Sequence, residues 1–264
     1  MGVLQAVILG IIQGLTEFLP ISSSGHVELG SVLLNVQNSD NLLFITLIHA
    51  ATSLSTIIIY RKDISGILKG MAEFKLNESW DFIFKILLSA VPVAIVGLFF
   101  LEEVESLFGG KTGLIGVMLI ITSILLGFTY FVRKNEGEIT FMKSLIIGIA
   151  QAIAVFPGLS RSGSTIATGL LLGVDKTKVT RFSFLMVILP VLGVSFLDVL
   201  RLVKNPSDFS EIPLVALFAG AFAAFATGII ACRWMIKIVR NGKLIYFAIY
   251  CFLVGSVAIL TTLF

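Results

Sequence analysis

The chain has 264 residues, of which 57% are hydrophobic and only 13% are charged. Together with a mean hydropathy of +1.03 and several apolar runs of about twenty residues, this composition excludes a soluble globular protein and predicts a polytopic membrane protein. The net charge of +3 says little as a total, because in membrane proteins the placement of Lys and Arg carries the information. No nucleic-acid partner is expected.

An internal duplication relates the two halves of the chain. With a constant offset of 138 residues and no gap, eight of eighteen positions are identical, which is more than apolar composition explains. The identical pairs are Ile8 and Ile146, Gly10 and Gly148, Ile11 and Ile149, Gln13 and Gln151, Phe18 and Phe156, Ser22 and Ser160, Ser24 and Ser162, and Gly25 and Gly163.

Each copy is predicted to begin with a broken hairpin. In the first copy, Pro20 and a run of serines interrupt an apolar arm at 3–19, and the second arm at 26–36 is too short to span a membrane. We therefore predict a re-entrant hairpin with its tip at 20–25. The second copy has arms at 141–156 and 164–173 around a tip at 157–163. Full spans are predicted at 41–60, 82–101 and 112–132, and again near 182–203, 213–233 and 244–264.

The basic residues provide an independent test of this layout. Fifteen of the nineteen Lys and Arg residues fall on the same side of the predicted membrane, which the positive-inside rule makes cytoplasmic. The second hairpin has basic residues at its entrance and its exit, so it is expected to re-enter rather than cross. The first sixty residues contain neither Lys nor Arg, so the first hairpin is expected to open to the outside.

Three spans in each half is an odd number, so the two copies are expected to have opposite orientations. We predict an all-α polytopic membrane protein with an inverted-topology repeat, each half comprising a re-entrant helical hairpin and three transmembrane helices. The repeats are residues 1–135 and 139–264 of a single membrane domain, 1–264. Irregular backbone at membrane depth is tolerated only where it is buried or lines a wet cavity, so the two tips are expected to meet and form a site.

The residue types at the tips indicate an anion site. Gly25 and Gly163 permit close approach of the backbone, and the serines at 22–24 and 160–164 lie where helical arms begin, as N-caps. Two helix N-termini aimed at one point bind anions through free amides and their positive dipole ends. Arg161 adds donors suited to phosphate. The alternative is that Arg161 is structural and pairs with a carboxylate such as Glu17.

Candidates for catalysis lie in the first hairpin. Gln13 and Glu17 are four residues apart and share a helix face, and a carboxylate near a helix C-terminus needs a nearby cation, either a divalent metal or Arg161. His26 lies three residues beyond Ser23 and is placed to accept a hydroxyl proton. His49, inside the first predicted span, is interpreted as a structural histidine.

These residues carry a resemblance to a known family. The segment from Gln13 to His26 and the segment from Pro157 to Thr165 together resemble the two signature blocks of the undecaprenyl-diphosphatase family, also called the bacitracin-resistance protein family. The family motif opens with Glu or Gln, so Gln13 is an allowed variant that leaves one carboxylate fewer for a metal.

The resemblance implies a role for each matching residue. Glu17 would bind metal or assist the proton chemistry, Ser23 or His26 would be the nucleophile with the other assisting, and Arg161 would hold the diphosphate. The implied substrate-binding residues are Gln13, Ser22, Ser24, Gly25, Ser160, Ser162, Gly163 and Thr165.

The activity implied by the resemblance is hydrolysis of undecaprenyl diphosphate to undecaprenyl phosphate and inorganic phosphate, dependent on Mg²⁺ or Ca²⁺. It would take place in a bacterial inner membrane, where it recycles the lipid carrier of peptidoglycan synthesis and confers bacitracin resistance. The prenyl chain would lie in an apolar groove or in membrane lipid, and a homodimer is left open. The alternative on architecture alone is a secondary transporter or flippase for a lipid phosphate or another anion, which needs the anion site but no nucleophile and base.

Overall fold

The computed structural model describes residues 1–36, 42–73, 75, 77–108, 111–132, 136–204 and 212–262. These residues form helices and turns but no β-strand, since the pairing of Gly137 with Val174 is an isolated bridge. The helices of the first half are α1 (Val3–Phe18), α2 (Ser23–Leu33), α3 (Leu42–Ile59), α4 (Arg61–Ala72), α5 (Glu78–Phe99), α6 (Leu101–Glu105) and α7 (Thr112–Phe128). Those of the second half are α8 (Phe141–Ile153), α9 (Arg161–Leu171), α10 (Lys176–Met186), α11 (Ile188–Lys204), α12 (Leu214–Arg240) and α13 (Ile245–Leu260).

The described helices confirm a multi-pass membrane protein. Four segments are long and apolar enough to span a bilayer, namely Glu78–Phe99, Thr112–Phe131, Lys176–Leu197 and Leu214–Arg240. A fifth candidate is α3 with α4, which bend by 73° where they join. The last predicted span, 244–264, corresponds to α13, whose 16 residues make it shorter than the others. Large apolar side chains such as Phe218 and Phe222 remain 70% exposed on the outside of the bundle, as expected for contact with lipid.

Two short hairpins interrupt the spans at the predicted places. α1 ends at Phe18, and α2 begins at Ser23, after the turn that contains Pro20, rather than at the predicted 26, because Ser22 caps it. α9 begins at Arg161 rather than at the predicted 164, because the side chain of Ser160 caps the helix and so allows its first turn to form earlier. Arg161 therefore lies in the first turn of α9.

Glycines bring the arms of the hairpins into close contact with long helices. Gly10 and Gly14 of α1 face the backbone of α12 around Gly220 and Ala224, and a Cβ at either position would overlap it. Gly148 of α8 is in similarly close contact with the backbone of α5. Lipid tails are as apolar as the helices, so helix association in a membrane depends on this tight packing of small residues. The packing holds α1 and α8 firmly, and with them the hairpin tips.

Candidate active site

The two hairpin tips touch, as predicted. A Cβ on Gly25 would lie 3.0 Å from the Cα of Gly158, and one on Gly163 would lie 3.3 Å from the Cβ of Pro20. The hydroxyl of Ser162 donates to the carbonyl of Leu19 at 3.2 Å, which ties the second tip to the first. Residues that are far apart in the chain therefore share one small volume.

Each tip ends in a capped helix N-terminus. Ser22 Oγ accepts a hydrogen bond from the amide of Gly25 at 3.3 Å, and Ser160 Oγ accepts from the amide of Gly163 at 3.0 Å. The hydroxyl of Ser24 lies 3.3 Å from that of Ser22, and the hydroxyl of Ser162 lies 3.4 Å from that of Ser160. The N-cap predictions are thus confirmed, and both helices direct their positive ends to the junction of the tips.

The backbone of Ser22 is strained. Its φ of 68° and ψ of 97° lie in a region that non-glycine residues rarely occupy, whereas Ser160 has an ordinary extended conformation. Strain of this kind costs about 1–3 kcal/mol and concentrates at binding and catalytic sites. The first tip is therefore held in an unfavourable conformation by its surroundings.

Glu17 is the centre of the hydrogen-bond network at the junction. One carboxylate oxygen accepts from Gln13 Nε2 at 2.8 Å and from Ser23 Oγ at 2.5 Å, while the other forms an ion pair with Arg161. The Glu17 side chain is only 9% exposed and that of Arg161 is 28% exposed. The pairing considered as the structural alternative for Arg161 is therefore present, and it lies within the same network as the candidate nucleophile.

His26 is not brought to Ser23. Its Nδ1 lies 2.8 Å from the carbonyl oxygen of Ser22, its Nε2 lies 2.9 Å from the hydroxyl of Tyr250, and its ring stacks on the Tyr250 ring at 5.6 Å. The Ser23 hydroxyl donates its hydrogen bond to Glu17 rather than to His26. The expected contact between Ser23 and His26 is absent because the imidazole folds back on its own helix cap and turns towards α13. A catalytic role for His26 stays a prediction.

Thr165 lies behind the first turn of α9. Its hydroxyl donates to the carbonyl of Arg161 at 2.9 Å and lies 2.5 Å from the hydroxyl of Ser183 in α10. Thr165 is 1% exposed, so in this conformation it holds the backbone of Arg161 and does not line the cavity.

A small cavity opens beside Glu17 and Arg161. It has room for about one water molecule. Sequence reasoning missed part of its wall, which is lined by Thr52, Ser53 and Thr56 of α3 and by Ser183 of α10. The signal for the α3 residues was present, since they are small polar residues at helical spacing on one face of an apolar span.

Comparison with known proteins identifies the family. The family model described as Bacitracin resistance protein BacA matches residues 6–257. The chain belongs to the BacA family. Among curated relatives of this family, the chain is 50% identical over 259 residues to a Bacteroides fragilis protein and 50% identical over 260 residues to one from Parabacteroides distasonis. It is 40% identical over 272 residues to a protein from Korarchaeum cryptofilum.

The similarity extends along the whole length of these BacA relatives. It covers 98% of this chain and 97% of the Bacteroides protein, 98% of both chains for Parabacteroides, and 100% of both for Korarchaeum. All three relatives bear the name undecaprenyl-diphosphatase.

The divalent cation that the BacA resemblance implies can be compared with the donors at the site. Among the described residues, no group of three or more His, Cys, Asp or Glu side chains could hold a metal ion by itself. Gln13 Oε1 is buried next to Glu17 and has no hydrogen-bond partner in the described part of the chain. One carboxylate and one amide oxygen fit a cation that completes its shell with water and substrate phosphates, as Mg²⁺ usually does.

Proposed function

We propose that this protein is a membrane phosphatase that hydrolyses undecaprenyl diphosphate to undecaprenyl phosphate and inorganic phosphate. The observation that carries the proposal is the hydrogen bond from Ser23 to Glu17 within reach of Arg161, between two helix N-termini. A nucleophile with an adjacent base and an anion-binding group are the parts that such a reaction needs. Membership of the BacA family and the names of its relatives support the same substrate.

Substrate binding would exchange the partner of Arg161. In the present structure the guanidinium is paired with Glu17, and the cavity has no room for a diphosphate. A phosphate group at the tip would take over the guanidinium and the free amides at the starts of α2 and α9. Glu17 would then be released to act as a base.

The reaction would proceed in two displacements. Ser23 Oγ attacks the terminal phosphorus while its proton moves to Glu17, the bond from that phosphorus to the bridging oxygen breaks, and undecaprenyl phosphate leaves. Water then attacks the phosphoserine phosphorus, and Glu17 returns its proton to Ser23 Oγ as the bond from phosphorus to Oγ breaks. Inorganic phosphate leaves with both protons of the water, which restores the Ser23 hydroxyl and the Glu17 carboxylate. His26 as nucleophile is the alternative, and its contacts with Ser22 and Tyr250 favour Ser23.

A divalent cation belongs to this proposal. Glu17 and Gln13 Oε1 would hold Mg²⁺ or Ca²⁺ together with the phosphates of the substrate. When bound, the cation would neutralise the charge that develops on the phosphoryl oxygens. Ser24, Ser160 and Ser162, in the capped tips around the cation, would make the remaining predicted contacts with the substrate phosphates.

The proposal includes the inverted repeat and its location. Helix α1 packs on α12 while α8 packs on α5, and these pairs correspond to each other under the offset of 138 residues. The first arm of each copy therefore packs on a long helix of the other copy. This reciprocal packing supports two copies related by an inverted repeat within a single membrane domain. The distribution of basic residues supports an orientation that places them on the cytoplasmic side, and the bacterial inner membrane rests on the family resemblance. A homodimer stays a prediction.

The carrier alternative is less well supported. A transporter needs an anion site that opens to both sides, and Arg161 with two helix ends serves that purpose as well as catalysis. It has no use for a hydroxyl that donates to a carboxylate at 2.5 Å. The contact of Ser23 with Glu17 therefore favours the enzyme.

The test is phosphate release from undecaprenyl diphosphate by purified protein in detergent, with and without added Mg²⁺. We expect phosphate release that depends on the metal. The rate should fall at least about a thousandfold in Ser23→Ala and about a hundredfold or more in Arg161→Ala. Ser144→Ala is the matched control, because Ser144 is a buried serine whose hydroxyl bonds a carbonyl of its own helix, α8. Folded wild-type protein that binds the lipid and releases no phosphate would contradict the proposal.

A further inference from the structure

Helix α3 presents a polar stripe to the cavity. Thr52, Ser53 and Thr56 line it next to Glu17 and Arg161. His49 lies three, four and seven residues before them, which places it on the same face of the helix, one turn nearer the N-terminus. His49 does not itself line the cavity, but it extends the helix face of the residues that do.

The ring nitrogens of His49 are in different situations. Nδ1 lies 2.8 Å from the carbonyl oxygen of Ile45, one turn earlier in α3. A carbonyl can only accept a hydrogen bond, so Nδ1 carries a proton and Nε2 is the nitrogen left for a contact outside α3. His49 is half-buried, so part of the residue remains accessible.

Helix α3 also packs against α1, the helix that carries Glu17 near its C-terminal end. The position of His49 on the stripe and the packing of α3 on α1 therefore put His49 on the side of α3 where the candidate site lies. His26 differs from His49, because both of its ring nitrogens have partners, the carbonyl of Ser22 and the hydroxyl of Tyr250.

We propose that His49 is a substrate-binding residue, which holds the diphosphate through Nε2 from the α3 side of the cavity while Arg161 holds it from α9. This inference rests on the proposed phosphatase function. It replaces the structural role that the sequence suggested for His49. Ser53 and Thr56, on the same stripe, would lie beside the bound phosphates.

The proposal predicts an order among substitutions. Glutamine places its amide close to where Nε2 lies in histidine, whereas asparagine reaches only as far as Nδ1, and leucine has the bulk without a donor. A hydrogen bond to a charged group is worth a factor of roughly 10 to 100. We therefore expect His49→Gln to keep kcat/KM within a few fold, and His49→Asn and His49→Leu to lose roughly 10- to 100-fold, mainly through KM.

The matched control is Ser55→Ala on the same helix. Ser55 is fully buried, and its hydroxyl donates to the carbonyl of Phe225 in α12 at 2.9 Å, so it fixes α3 without reaching the cavity. We expect Ser55→Ala to lower the melting temperature and leave kcat/KM unchanged. We expect His49→Leu to lower kcat/KM and leave the melting temperature unchanged.

The experiment measures kcat, KM and melting temperature for the purified wild-type protein and the four variants with undecaprenyl diphosphate and Mg²⁺. Full activity in His49→Leu would overturn the proposal for His49 and leave the phosphatase intact. Equal losses in His49→Gln and His49→Leu, with lowered melting temperatures, would mean that His49 acts through packing, which also overturns it. Absence of activity in the wild-type protein would instead contradict the phosphatase itself.

Discussion

The side chain of Glu17 connects the two halves of the molecule. It accepts hydrogen bonds from Gln13 and Ser23 of its own half and pairs with Arg161 of the other. A mostly buried ion pair contributes little net stability, because both charges lose their hydration, but removal of one partner leaves the other unpaired. Such a pair is suited to a site where substrate exchanges one partner for another.

The first prediction concerns this pair. Glu17→Gln leaves Arg161 without its counter-charge, so we expect a loss of about 1–3 kcal/mol of stability and loss of phosphate release. The double variant Glu17→Gln with Arg161→Gln removes both charges, so its stability should largely return while activity stays lost. Thermal unfolding in detergent and the phosphate assay check this. A double variant that is less stable than both single variants would contradict it.

The second prediction concerns His26. Tyr250→Phe removes the hydroxyl that lies 2.9 Å from His26 Nε2 and retains the stacked ring. Because His26 faces away from Ser23 here, we expect a loss of about 0.5–1.5 kcal/mol of stability and kcat/KM within a few fold of wild type. If kcat instead falls tenfold or more without a change in melting temperature, Tyr250 positions His26 for catalysis, and the nucleophile assignment must be reconsidered.

At the scale of helices, small residues decide how close the hairpin arms lie to the long spans. Gly10 and Gly14 of α1 form a small-residue stripe that faces Gly220, Ala224 and Gly228 of α12. Gly116 of α7 and Gly255 of α13 meet in the same way. Because the backbones of the two helices are in direct contact, no flexible side chain could move aside for a larger residue. The position of α1, and of Glu17 near its end, therefore depends on these glycines.

The third prediction tests this packing. The added Cβ in Gly10→Ala would overlap the carbonyl oxygen of Gly220, so we expect a loss of about 1–3 kcal/mol of stability and reduced activity as Glu17 is displaced. Gly127→Ala is the matched control, since nothing lies within 4 Å of its Cβ, and it should be within about 0.5 kcal/mol of wild type. Melting temperatures of the two purified variants provide the comparison. Equal stability of the two would show that the α1 and α12 backbones can separate at no cost.

At the scale of the whole molecule, charge distribution sets the orientation in the membrane. The basic residues that follow the first span and those between the last two spans are predicted to lie on the cytoplasmic side. The short segment between the second and third spans, which contains Ser106, is predicted to lie outside. These assignments depend on the sum of many small preferences rather than on any single contact.

The fourth prediction is the labelling pattern of introduced cysteines. Cys232 and Cys251 are fully buried, so both can be replaced by alanine to provide an unreactive background. In intact cells, an impermeant maleimide should label Ser106→Cys and should leave Lys69→Cys and Asn241→Cys unlabelled until the membrane is broken. All three positions are exposed. Labelling of Lys69→Cys from outside would reverse the predicted orientation.

The sequence by itself determined the class, the order of the segments and the family of this protein. Apolar runs, Pro20 with its serines, and the repeated pattern are local features, so they predict helices, hairpin tips and caps such as Ser22 and Ser160 from near neighbours alone. The two signature segments pointed to Glu17, Ser23 and Arg161, which the structure brings together, without any knowledge of their partners. The starts of α2 and α9 were each missed by three residues, because each tip offers several serines as caps and the structure uses the first of them, Ser22 and Ser160.

Only the tertiary structure decided which of these residues meet. The contact of Ser23 with Glu17 instead of His26, the turn of His26 to Tyr250, and the polar wall of α3 arise from how helices distant in sequence pack and rotate. Arg161 and Glu17 are 144 residues apart, and His26 and Tyr250 are 224 apart. No local pattern specifies such pairs, because a helix shows which residues share a face but not what that face will contact. That choice is made by the close fit of glycine-lined backbones across the bundle.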